Sequence, residues 1–145
     1  MATTPQTFAN HKRRHAPFHF FVVPVMLINV IWAIVIFVQS PNWNTGWWII
    51  VSLALVVLAF LVRLNSLKVQ DRLIQLEERL RYQQVLSAAL LQQANALKPG
   101  QIIALRFAGD DELEGLVAAV LAGKLAGTGE IKRAIKSWRA DTFRV

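Results

Sequence analysis

The chain's three histidines, His11, His15 and His19, lie within nine residues, and imidazole is the commonest metal-binding side chain. A spacing of four would place His15 and His19 on one helical face. Pro17 stands between them and disfavours helix at Ala16, and no Asp, Glu or Cys accompanies them. The pattern therefore predicts interfacial imidazoles rather than a multi-ligand metal site. A tetrapyrrole metal needs only one protein nitrogen, which His19 could supply. The serines have no base or oxyanion motif around them, and neither GxGxxG nor a P-loop is present. The expectation is a non-enzymatic protein without a cofactor, with a tetrapyrrole on His19 as the alternative.

The elements that must carry these residues are set by hydropathy. Hydrophobic residues make up 54% of the 145 and charged ones 17%, too oily for an ordinary soluble domain. The excess sits between residues 18 and 64. No cysteine is present, so disulfides, thiolate metal sites and covalent haem attachment are excluded. Residues 18–38 carry no charge and cover roughly 30 Å as a helix, the thickness of a bilayer's hydrocarbon core. A cleavable signal would have a shorter apolar region ending in small residues, whereas this run leads into Gln39-Ser40-Pro41-Asn42. The second run, 47–64, is apolar apart from Arg63, whose stem can carry its guanidinium to the interface. Both runs are predicted to span, joined by the uncharged turn-former SPNWNTG.

Charge orients the hairpin. Lys12, Arg13 and Arg14 precede the first span, and Arg63, Lys68 and Arg72 follow the second, so both ends are expected in the cytoplasm. Trp43, Trp47 and Trp48 then fall at the opposite interface. Pro24 should kink the first span. Asn29, near that span's centre, needs a partner in hydrocarbon, either near Ser52 in the second span or on another subunit.

Residues 65–98 contain neither proline nor glycine and predict a long amphipathic helix. Val69, Leu73, Leu76 and Leu80, spaced by 4, 3 and 4, form its apolar stripe, with Ile74 widening it and Glu77–Arg81 as an i,i+4 pair. The stripe is expected to pack on the chain's own carboxyl-terminal helices, or else on a partner helix. A single helix over 47–98 would run about 78 Å, so a bend or stalk is expected, with Asn65-Ser66 as the weak point.

Lys98-Pro99-Gly100 reads as the stop of that helix, and a three-helix tail over 99–145 follows. Its first helix is 101–107. The second is capped by Asp110 or Asp111, with Glu114 completing a box, and buries Leu113, Leu116, Val117, Val120 and Leu121. The third, 129–139, is capped by Thr128 and sets Ile131, Ala134, Ile135 and Trp138 against Lys132, Arg133, Lys136 and Arg139. That basic face suits solvent or anionic lipid headgroups, with Trp138 dipping into the interface. A membrane-tethered helix-turn-helix binding nucleic acid is a further alternative, but six carboxylates offset seven Lys and Arg in 99–145, so little attraction for phosphate is expected.

The stretches HKRRHAPFHFFVVPV, VQDRLIQLEERLR, ALRFAGDDEL and IKRAIKSWRADTFRV together resemble a family of small bacterial inner-membrane proteins defined as a domain of unknown function. The resemblance implies two spans with a helical cytoplasmic tail, and brings no catalytic residues. The loop LAGTG and the region around KPG depart from it, since serine or threonine with proline would be the more usual helix start. The sequence thus predicts an all-α chain in four parts: a basic segment 1–17, the hairpin 18–64, the amphipathic helix 65–98 and the tail 99–145. Its expected role is an accessory or scaffold subunit that packs beside another membrane protein or its own copies. A pigment- or haem-associated subunit of an energy-converting complex is the runner-up.

Overall fold

The computed structural model describes residues 7–8 and 15–141, and among them every regular element is helical. A π-helical turn, Phe18–Val22, leads into α1, Val23–Gln39, followed by α2, Trp43–Val85, α3, Ala88–Ala94, α4, Pro99–Leu105, α5, Asp110–Leu121, and α6, Thr128–Ala134. Two of these helices are long and apolar enough to cross a membrane, Phe18–Gln39 and Trp43–Val85. The described helices form two compact units, one within Arg13–Lys68 and one within Val69–Arg144.

In the first unit the chain is already helical at Ala16 and Pro17, contrary to the expected break. Proline is tolerated in a helix's first turn because its missing N–H would have no partner there anyway. The π turn has its reason in Pro24. The Val23 N–H bonds back to Phe18 O, and the wider turn precedes a residue that has no N–H to give and whose ring crowds an α-helical carbonyl. The connection to α2 is shorter than SPNWNTG. Asn42 Oδ1 accepts the Thr45 amide at 3.0 Å while Thr45 Oγ1 accepts the Asn42 amide at 3.1 Å, a reciprocal cap that starts the helix at Trp43. Farther along, α2 passes the expected weak point Asn65-Ser66 unbroken, with Ser66 Oγ donating back to Val62 O at 2.9 Å.

The second unit has a dry core of Tyr82, Leu97, Ile102, Leu105, Phe107, Leu113, Val117 and Ile131. The single helix expected over 65–98 is interrupted after Val85. Glu114 Oε1 accepts the Ser87 amide at 3.2 Å, Ser87 is extended, and its carbonyl starts α3 by accepting from Leu91. Lys98-Pro99-Gly100 opens a helix rather than closing one, with Pro99 in the first turn and Gln101 Oε1 accepting the Lys98 amide at 2.9 Å. Helix α5 starts at Asp110 without a side-chain cap, since its N-cap residue is Gly109, and the Glu114 carboxylate expected to complete a box is engaged at Ser87. It ends at Leu121, and the φ of 74° at Gly123 just beyond turns the chain so that the Lys124 amide reaches Ala119 O. Glu130 Oε2, not Thr128, caps α6, by accepting from Ala126 and Gly127.

The last helix is also shorter than 129–139. Ile135 is extended, and residues 137–139 pair with 107–109: Gly109 N–H donates to Ser137 O at 2.7 Å and Arg139 N–H to Phe107 O at 2.8 Å. Glu112 holds the turn by accepting from the Lys136 and Ser137 amides. A Cβ on Gly109 would collide with Asp111 Oδ1 and lie 2.7 Å from Ser137 Oγ, so a larger residue would have to turn both side chains aside where the two segments meet.

Candidate interaction site

The sequence marks α2 as the element with a surface to offer, and within the second unit it has two unlike faces. Ile74, Glu78 and Tyr82, spaced by four, are buried, as is Leu86 just beyond the helix. Val69, Leu73, Leu76 and Leu80 lie on the opposite side at about 3.6 residues per turn and are exposed by 67%, 53%, 55% and 52%. The expectation that this stripe packs on the chain's own carboxyl-terminal helices is thereby corrected. The face bearing Glu78 and Tyr82 takes that place, because its polar groups find partners there.

Arg81 organises those partners. Its Nη1 lies 3.1 Å from Glu78 Oε2, its Nε donates to Asp110 Oδ1 at 2.7 Å, and its Nη2 donates to Ala108 O at 2.7 Å. The expected Glu77–Arg81 pair is not formed, since these three acceptors converge on the guanidinium instead. Arg139 Nη1 reaches Glu78 Oε1 at 3.3 Å, and Arg106 Nε meets Asp141 Oδ2 at 3.0 Å. Burial pushes the Glu78 carboxyl above its usual range, and Arg81, Arg139 and Arg106 pull it partly back. A cleft of about 340 Å³ opens here, lined by Ile74, Glu77, Glu78, Arg106, Arg139, Ala140 and Asp141. Glu78 is paired with Arg81 and Arg139 and Asp141 with Arg106, Glu77 alone of the lining acids having no ion pair with a described residue, so the arrangement serves to clamp α2 to the 106–110 and 139–141 segments. Sequence reading missed this clamp. Its one local signal is Glu78 standing four residues from both Ile74 and Tyr82, an acid on an otherwise apolar face.

The tail's basic residues are placed differently from the expectation. Trp138 is half-buried with its ring 5.0 Å from Phe107, so it is an extension of the core rather than a side chain free to dip into lipid. Lys132 Nζ lies 5.4 Å over the same Phe107 ring, Arg133 Nε bonds Gly129 O at 3.2 Å, and Lys136 is exposed. Helix α6 is seven residues long.

In the first unit Asn29 Nδ2 donates to Ser52 Oγ at 2.8 Å, the partner its position in the span suggested, and Ser52 is buried. Trp43, Trp47 and Trp48 are exposed beside the turn, whereas Arg63 sits 5.9 Å over the Phe18 ring at the other end of the hairpin. Lys12, Arg13, Arg14 and His11 lie outside the described residues. His19 is exposed, with Nδ1 2.9 Å from His15 O, a contact that orients the ring. No group of three or more His, Cys, Asp or Glu capable of holding a metal occurs among the described residues.

No curated protein and no solved structure matches the chain. A family model matches along all of residues 1–145, in line with the uncharacterised family that the resemblance implied: the chain belongs to the family of unknown function DUF6526.

Proposed function

We propose that this protein is a two-span accessory or scaffold subunit of an inner-membrane assembly, without catalytic activity of its own, with both ends in the cytoplasm. The observation that carries the reading is where apolar side chains stay uncovered. Among the described residues, every exposed large hydrophobic is Phe8 or falls between Phe20 and Leu80. Those in the hairpin, such as Phe21, Ile28, Trp32, Val57 and Leu61, suit lipid as solvent, and the tryptophans at one end with Arg63 at the other suit its two interfaces. The leucine stripe of α2 lies beyond the apolar run, where leucines need a protein partner. Extraction in mild detergent followed by co-purification tests this reading. The protein should be recovered from membranes in a complex, with itself or with another chain, and without visible absorbance. Recovery as a solitary monomer, or from the soluble fraction without detergent, would overturn it.

One contact favours a second reading, a pigment- or haem-associated subunit. The His15 carbonyl on His19 Nδ1 is the kind of bond that fixes an axial imidazole with its other nitrogen toward a metal. A visible absorbance lost in His19→Ala would establish it over the first reading.

A further inference from the structure

We infer that the exposed stripe of α2 is the seam of a parallel, in-register homodimer, in which Arg72 of each copy pairs with Glu77 of the other. This deepens the scaffold reading and rests on it for the shared orientation of the two copies. Val69, Leu73, Leu76 and Leu80 alternate steps of 4 and 3, the repeat of two helices that wrap around one another, with Leu73 and Leu80 at the a positions and Val69 and Leu76 at d. The buried residues Ile74, Glu78 and Tyr82 then fall at b, f and c, away from the seam, so dimerising through a and d leaves the clamp to the carboxyl-terminal helices intact.

Charge complementarity identifies the occupant. Arg72 and Arg79 occupy the g positions flanking the seam and Glu77 an e position, and all three are exposed. In a parallel pair, a g residue meets the e residue five positions on in the other helix, which sets Arg72 against Glu77 twice by symmetry. Arg79 meets the neutral Gln84. An antiparallel pair brings g against g and would set Arg72 against Arg79, two like charges. Neither Arg72 nor Glu77 makes an ion pair with any described residue of its own chain, so both are available. A seam of about two heptads is short for a helix pair free in water, which needs about three or four. Tethering both copies in one bilayer raises their effective concentration and leaves only the parallel orientation open.

The absence of cysteine makes a direct test possible on the full chain in its membrane. In a parallel in-register pair each a or d residue faces its own counterpart, so Leu73→Cys and Leu76→Cys should each form a self-disulfide on mild oxidation. Asp71→Cys, on the far side of the helix, should not. Arg72→Glu combined with Leu76→Cys should lower the cross-linked yield several-fold by placing two acids opposite, and adding Glu77→Arg should restore it. Membrane recovery is measured on the same samples. Membrane-bound protein that forms no self-disulfide at 73 or 76 overturns the dimer while leaving the membrane reading in place. Disulfides formed only between a 73 variant and a 76 variant overturn the parallel seam. Soluble protein with both self-disulfides intact overturns the membrane reading and keeps the seam.

Discussion

The hairpin and the carboxyl-terminal unit dispose of their apolar side chains in opposite ways. Among the described residues of the hairpin only Ala33 and Ser52 are buried, and the single side-chain hydrogen bond between its two helices joins Asn29 to Ser52. In the other unit Phe107, Leu105, Leu113 and Ile131 are fully enclosed, and the charged groups Glu78 and Arg106 are buried in matched pairs. Hydrophobic burial needs water to drive it. A unit that leaves Phe20, Ile28 and Leu58 uncovered has no such drive in its own fold, which is why lipid is the solvent proposed for it. Perturbations of the core should therefore separate the two units.

The largest separation is expected from Phe107→Ala. Truncating a fully buried phenylalanine costs about 3–5 kcal/mol, and here it also removes the surface against which Trp138 and Lys132 lie. Hydrogen exchange of the full chain in nanodiscs should show protection lost across 97–131 while that of 25–60 is unchanged. Equal loss in both would mean that the hairpin depends on the tail and would break the comparison. Arg81→Ala should follow at about 3 kcal/mol, below the upper range for breaking a buried pair because Asp110 is exposed and can turn to water. The thermal midpoint of the second unit reads it, and Arg81→Lys should recover little, since one ammonium cannot reach Glu78, Asp110 and Ala108 O together.

Gly109→Ala comes next, at about 1–3 kcal/mol, because the added methyl must push Ser137 away from the backbone it pairs with. The same unfolding curve reports it. In the hairpin the counterpart is far smaller. Asn29→Val removes the one interhelical hydrogen bond, and such bonds within membranes average about 0.6 kcal/mol, so extraction and span accessibility should change little. A large effect would mean that Asn29 serves a partner as well as Ser52.

How much of this was legible follows the same division. The two long apolar helices, the turn with its tryptophans and the Asn29–Ser52 contact could be read because helix length, hydropathy and the need of a polar group among apolar ones for a partner are set residue by residue. The stripe of α2 was legible as a stripe but not as an outward one, since a 4-3-4 pattern is identical whether the partner is the same chain or another. The clamp was invisible for a physical reason. Arg81 meets Ala108 and Asp110, and Arg139 meets Glu78, across 27 to 61 residues of sequence, and a buried face made of matched charges reads as a solvated one. The pairing of 107–109 with 137–139 was missed likewise. Its hydrogen bonds took Trp138 out of the helix to which its spacing had assigned it.

Acid provides the finest probe of the difference, because all nine carboxylates of the chain follow residue 70 and none lies in the hairpin. Glu114 is held below its ordinary value by its bonds to Ser87, and Glu130 by the amides of Gly127 and Ala126, so each binds fewer protons folded than unfolded. The stability they contribute is present above the ordinary glutamate value near 4.5 and is lost as pH falls through their lower folded values. Glu78 has the opposite sign. Burial raises it, the folded state binds its proton more tightly than the unfolded, and stability rises as pH falls through that raised value. The second unit should thus grow slightly more stable on mild acidification from neutrality, then less stable once Glu114 and Glu130 are titrated. Denaturant midpoints of the full chain in nanodiscs at stepped pH would trace both limbs. Glu78→Gln should flatten the rise and leave the fall, and Glu130→Gln should shrink the fall and leave the rise. A monotonic loss from neutrality downward would mean that the guanidiniums around Glu78 outweigh its burial, making the clamp a source of net stability rather than a device that fixes where α2 docks.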